Sequence, residues 1–186
     1  MANPYGDVEL DAAGMRALAH PVRLRILLEL RSEPATATLL SSKVGASPSV
    51  TSWHLRHLAG HGLIAEAPEL GHGRERWWRA VGNGFRYAVT DEVSRMAANT
   101  LQAALSDVQG DVVAVWRQET EPRLEPAWRA VAGAADTTVT VTVEELAEIN
   151  AAVEQILAPY VARRTSASNT RPVRILHHVM PAADPS

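Results

Sequence analysis

The chain has 186 residues, 46% of them hydrophobic and 21% charged, a composition that describes a globular protein with enough length for one large domain or two small ones. It contains no cysteine, which excludes disulfides, thiolate metal sites and cysteine nucleophiles. No apolar run approaches a membrane span, and the first residues carry no basic region ahead of an apolar stretch, so a cytoplasmic protein without membrane contact is the expectation.

Residues 9–19 read as a helix with Leu10, Met15 and Leu18 apolar. His20-Pro21 breaks it, because the residue before a proline avoids helical angles. Pro21 then opens a second helix whose Val22, Leu24, Ile26, Leu27, Leu28 and Leu30 are mostly core, stopped at Ser32-Glu-Pro34. Residues 35–38 make a connector or short strand, and Thr38 or a neighbour caps a helix that ends at Val44-Gly45.

The next helix, residues 48–60, is the most informative segment. Ser47 is a good N-cap and Pro48 suits the first helical position. Thr51, Leu55 and Leu58 recur at helical spacing and pack inward. Ser49, Ser52, Trp53, His54 and Arg56 then fall on other faces, and the segment Ser47–Ile64 contains neither Glu nor Lys. A helix that faces outward with small polar groups, His and Arg suits a DNA major groove better than open solvent. Residues 63–67 and 74–80 follow as two strands of a hairpin with a glycine-containing tip. Two helices joined by a glycine turn and followed by a hairpin describe a winged helix-turn-helix.

Gly82-Asn-Gly84 is a plausible boundary, dividing a domain of residues 1–82 from one of 83–186. The charge divides there too. Residues 1–90 hold ten Lys/Arg against eight Asp/Glu, and residues 91–186 hold eight against thirteen, giving +2 and −5. An apolar stripe from Val93 to Val115 predicts a long helix over 91–118, disturbed at Gly110, whose surplus apolar surface suits a paired dimer helix or burial in its own domain. Residues 121–126 read as a loop, 128–131 and 137–143 as strands, and 173–180 as a last strand. Thr142 and Glu145 form a capping-box pattern that launches a helix through Tyr160. The fold class expected is therefore mainly α with an α+β C-terminal part: a winged helix-turn-helix, a long dimerisation helix and a small strand-helix-strand unit.

With these elements in order, residues 10–82 resemble the ArsR-like family of winged-helix transcription regulators. The resemblance rests on Leu18-Ala-His-Pro-Val-Arg-Leu-Arg-Ile26, Ser47-Pro-Ser-Val-Thr-Ser-Trp-His-Leu-Arg-His-Leu58, Gly62-Leu-Ile64 and Gly73-Arg-Glu-Arg-Trp-Trp-Arg-Ala80. It implies a homodimeric repressor with residues 48–60 as recognition helix and 63–80 as wing. The expected partner is double-stranded DNA, contacted by Ser49, Val50, Ser52, Trp53, His54, Arg56 and His57, with Arg74 and Arg76 reaching from the wing. Trp53 either touches a thymine methyl or packs under the wing.

The family's metal sensors use cysteine pairs that are absent here. His54, His57 and His61 could share a helix face, but DNA needs that surface, so neither metal nor cofactor is expected. Trp116, Trp128 and Tyr160 either line an effector pocket, for a small molecule or a protein, or are simply core. An enzyme is disfavoured, since no Gly-x-Ser-x-Gly elbow, phosphate-cradling glycine loop or His-Glu-x-x-His occurs. A winged-helix module that binds protein alone is the remaining alternative.

Overall fold

A computed structural model describes residues 3, 5–71, 75–163 and 169–182. The first elements are β1 (Val8–Leu10) and α1 (Ala12–Leu18), where Asp11 caps the helix by accepting the Gly14 N–H at 2.7 Å. His20 takes extended angles before Pro21 and accepts the Val22 N–H on Nδ1, which starts α2 (Pro21–Ser32). After the short β2 (Ala35–Thr36), the Thr36 hydroxyl caps α3 (Ala37–Val44), and Gly45 closes it at φ +70°. Ser47 then caps α4 (Pro48–Gly60). Gly62, at φ +68°, turns the chain so that the Leu63 N–H returns to the Leu58 carbonyl at 3.1 Å. The helix-turn-helix thus follows its caps closely.

The wing is antiparallel. β3 (Ile64–Glu66) pairs with β4 (Trp77–Ala80), which also pairs with β2, so β4 is the central strand of three. Trp78 lies opposite both Ala35 and Glu66 and is buried, while Trp77 on the other face is half-buried. The second strand begins at Trp77; of the residues expected to precede it in the strand, Arg74 lies outside the described residues.

The turn at 82–84 does not end the packed unit. β5 (Phe85–Tyr87) returns beside β1 in parallel, with Val8 opposite Phe85 and Leu10 opposite Tyr87. Asp91 and Ser94 form a reciprocal cap that starts α5 (Glu92–Gln109), which packs on α1 and α2. Its inner face of Ala97, Ala98, Leu101 and Ala104 joins the same apolar cluster as Met15, Leu18, Leu24, Leu55 and Leu58. Three alanines in that face let α5 approach α1 closely. The face expected to pair two subunits is therefore used inside the chain's own core, and the outer face carries exposed Val93 and Met96.

Beyond α5 several expectations are corrected. Gly110 at φ +62° stops the helix at Gln109, and Asp111 restarts it as the single turn α6 (Val112–Val115), followed by a π turn at Trp116–Thr120. Residues 128–131 are helical, not extended: Pro126 occupies the first position of α7 (Pro126–Val131). Residues 137–142 and 173–180 form no strand, because alternation of β-branched residues makes a strand only where a neighbour supplies a ladder. The strand-helix-strand unit is absent from the described residues. The capping box at Thr142 and Glu145 does start α8 (Val143–Val161). Among the described residues after Ala104, none is buried.

Candidate nucleic-acid interface

The α3–α4 pair presents one face of α4 outward because the opposite stripe is wholly committed to the core. Thr51, Leu55 and Leu58 are buried as expected. Ser49, Val50, Trp53 and Arg56 are exposed, and Ser52 and His57 are half-buried at the edges. The Ser47 and Ser49 hydroxyls lie 3.1 Å apart at the helix start. Arg56 has no ion pair or hydrogen bond among the described residues, so its five donors are free for a base edge or a phosphate. Trp53 is 52% exposed, stacked on His57 at 5.6 Å between ring centroids, and therefore does not pack under the wing.

His54 is a correction. It is 5% exposed, its ring lies 4.8 Å from that of His20 and 4.8 Å from Trp53, and its Nδ1 has no hydrogen-bond partner among the described residues. A residue so enclosed supports the junction of α4 with the start of α2 and offers nothing to DNA. Arg23, to which the sequence analysis assigns no role, acts on the same histidines, and its Nε is buried without a hydrogen-bond partner among the described residues. Burial holds the His54 imidazole below the ordinary histidine range, and His20, Arg23 and His57 add to that direction. His20 and His57 are lowered for the same first reason, with Arg23 as the next cause in both.

The unfolded chain thus binds protons near pH 6.5 that the folded domain does not take until lower pH. Stability is full above that value and falls as the pH drops through the depressed folded values. The melting temperature is expected to decline between pH 7.5 and 5.5, and His54→Leu to flatten that decline; equal slopes for the two proteins would remove the histidines as its cause.

The wing is less basic than its sequence implies. Arg76 lies 3.4 Å from Glu66, with its guanidinium 6.0 Å from the Trp78 ring, and Arg79 lies 2.6 Å from Glu69. Lys43 at the end of α3 is held between Glu29 and Glu33. Exposed Leu39 on α3 is a further apolar group on this motif, legible only once the helix has been rolled into place.

Of the three aromatics expected at an effector pocket, Trp128 and Tyr160 share the lining of one cleft. Trp116 sits in the π turn after α6 and is not among the residues that line it. Among the described residues no group of three or more His, Asp or Glu is placed to hold a metal ion. No helix of the described residues is long and apolar enough to cross a membrane.

Residues 18–67 match a helix-turn-helix domain family. Over 65 residues the chain is 40% identical to the HTH-type transcriptional regulator YgaV of Escherichia coli strain K12; the match spans 34% of this chain and 66% of that protein, just under two thirds. Among solved structures, reduced HlyU from Vibrio cholerae is 22% identical, with 53% of this chain and 87% of that one covered and a TM-score of 0.35, too low to carry weight. Residues 18–67 are thus similar to a helix-turn-helix domain, and the β3–β4 hairpin beside them gives the fold a wing.

Proposed function

We propose that this chain is a sequence-specific DNA-binding transcriptional regulator that acts as a homodimeric repressor on an imperfect palindrome. The observation that carries the reading is the outer face of α4: Ser49, Val50, Trp53 and an Arg56 without a partner among the described residues, on a helix without Glu or Lys. Two such helices in a dimer would enter successive major grooves about 34–36 Å apart. The half-site contacts are Ser49, Val50, Ser52, Trp53, Arg56 and His57, with Arg74 and Arg76 from the wing. Exposed Val93 and Met96 on α5, with Val131, Val143 and Ile156 beyond it, support pairing of subunits away from the DNA. The −5 balance of residues 91–186 keeps that half clear of phosphates.

Selection of genomic fragments by the purified protein tests the reading directly; failure to enrich any sequence at moderate salt would sink it. Arg56→Ala is expected to cost about 1–3 kcal/mol and to relax preference at one position in each half-site. Arg76→Ala, whose side chain must leave Glu66 to reach a phosphate, should weaken all sites evenly and flatten the salt slope. The internal pairing of Arg76 and Arg79 favours a second reading, a winged-helix module that binds protein. That module would show little salt dependence and no loss on Arg56→Ala.

A further inference from the structure

The cleft that holds Trp128 and Tyr160 has a charge pattern that its surroundings do not explain. It measures about 1350 Å³, and its lining brings Tyr5, Asp7 and Arg31 together with Arg163, Arg171 and Arg174 of the C-terminal segment. Residues 91–186 hold only eight basic residues against thirteen acidic ones, yet three of those eight converge here. The two acids of the lining are already engaged. Asp7 lies 3.6 Å from Arg86, and the Asp111 carboxylate accepts the Val113 and Ala114 N–H groups that start α6.

The arginines are left short of acid. Arg31, in the last turn of α2, has no ion pair or hydrogen bond among the described residues. Arg174 donates at 2.8 Å to the neutral Gln109 amide. Arg163 rests over the Tyr160 ring at 5.3 Å and has no ion pair among the described residues. Arg171 alone meets a carboxylate, Glu125 at 3.3 Å, while lying 4.5 Å over Trp128. Burial lowers the Arg31 guanidinium below its ordinary range, and the nearby Arg174 charge pushes it the same way against the opposing pull of Asp7. Arg31 and Arg174 line one cleft and repel each other, while Asp7 beside them is shared with Arg86, and a bidentate anion meets that arrangement best. Leu105, Val112, Leu157 and Val161 supply apolar wall between the charges.

We propose that this cleft binds a small organic carboxylate with an apolar body, its carboxylate between Arg31 and Arg174 and its body against Leu157 and Tyr160. The proposal rests on the regulator reading above and adds to it the signal that the chain would answer. A ligand so placed joins the C-terminal segment to α2, the helix whose first turn supports α4 through His20. Occupancy of the cleft and the seating of the recognition helix are then linked through one rigid element.

Calorimetric titration of the full chain with 2-naphthoate, neutral 2-naphthamide and inorganic phosphate tests it. The expected result is saturable binding of naphthoate, about tenfold weaker binding of the amide, and a loss of about tenfold in Arg31→Gln and Arg174→Gln. Both variants should keep the parental melting temperature in the absence of ligand. The acid-to-amide contrast on the unsubstituted chain needs no variant to fold. Absence of saturable naphthoate binding, equal binding of acid and amide, phosphate binding as tight as naphthoate, or indifference to both substitutions would each overturn the proposal. Because no DNA is present, such a failure leaves the operator selection standing as a separate result.

Discussion

Leu101→Ala is expected to destabilise the whole winged domain by about 2–5 kcal/mol, the range for emptying a large buried leucine site. Leu101 is 0% exposed and belongs to the cluster that contains Met15, Leu18, Leu55 and Leu58, although the helix-turn-helix match ends at residue 67. Its neighbours on the same face are alanines 97, 98 and 104, which lack the reach to close the cavity. Urea unfolding followed by tryptophan fluorescence gives the value, and it should be independent of protein concentration. Met96→Ala, on the opposite face at 64% exposure, is the matching control. It should leave chain stability within about 0.5 kcal/mol and act only on self-association. If Leu101→Ala costs no more than Met96→Ala, α5 is not part of the core.

Gly82→Ala is expected to be nearly as damaging, at about 1–3 kcal/mol or more, for a reason of backbone and not of packing. Gly82 has φ +67°, and an added Cβ would be driven into the backbone of Gly6, which cannot rotate aside as a side chain could. Relief requires pulling the Gly6–Asp7 segment away, and with it β1 from β5. Gly62 separates the two contributions. It has nearly the same φ, +68°, but open space where its Cβ would stand, so Gly62→Ala costs only the conformational part, about 1 kcal/mol. Thermal unfolding of the two variants side by side measures the difference, and equal melting temperatures would refute the close approach at Gly82.

Much of the first 67 residues was legible because each helix carries its own punctuation. Pro21, Gly45, Ser47 and Pro48 act within three or four residues of themselves and stand where their local chemistry dictates, whereas α3 is capped by Thr36, two residues ahead of the expected Thr38. His54 shows where such reading slips. Residues 51, 54, 55 and 58 form the i, i+3, i+4, i+7 stripe, so helical geometry alone places His54 inside. Treating histidine as a polar residue overrode that geometry, and with it the link to His20. The apolar stripe of α5 was equally visible, but a stripe does not name its partner, and α1 rather than a second chain covers it. The parallel β1–β5 pair left no signal, since two three-residue segments separated by some 75 positions share no local pattern. In the C-terminal half, Thr137–Val143 and Val173–Met180 carry strand composition without a strand to pair with, and composition cannot reveal an absent neighbour. For the candidate interface, free Arg56 was readable from type and spacing, whereas the neutralisation of Arg76 by Glu66 depends on hairpin register.

The parallel pairing of β1 with β5 also sets an order of events during synthesis. Residues 18–67 leave the ribosome with their caps and turns complete, yet β1 has no partner until residue 87 has emerged, and α1 lacks its cover until α5 has followed through Gln109. At about 5–20 residues per second, the helix-turn-helix waits for a few seconds with Met15, Leu18 and Leu24 incompletely shielded. Closure of the reading head is thus a late step that the α5 helix completes, and a nascent chain halted before Leu101 would offer a chaperone the same leucines that later hold α4 in place.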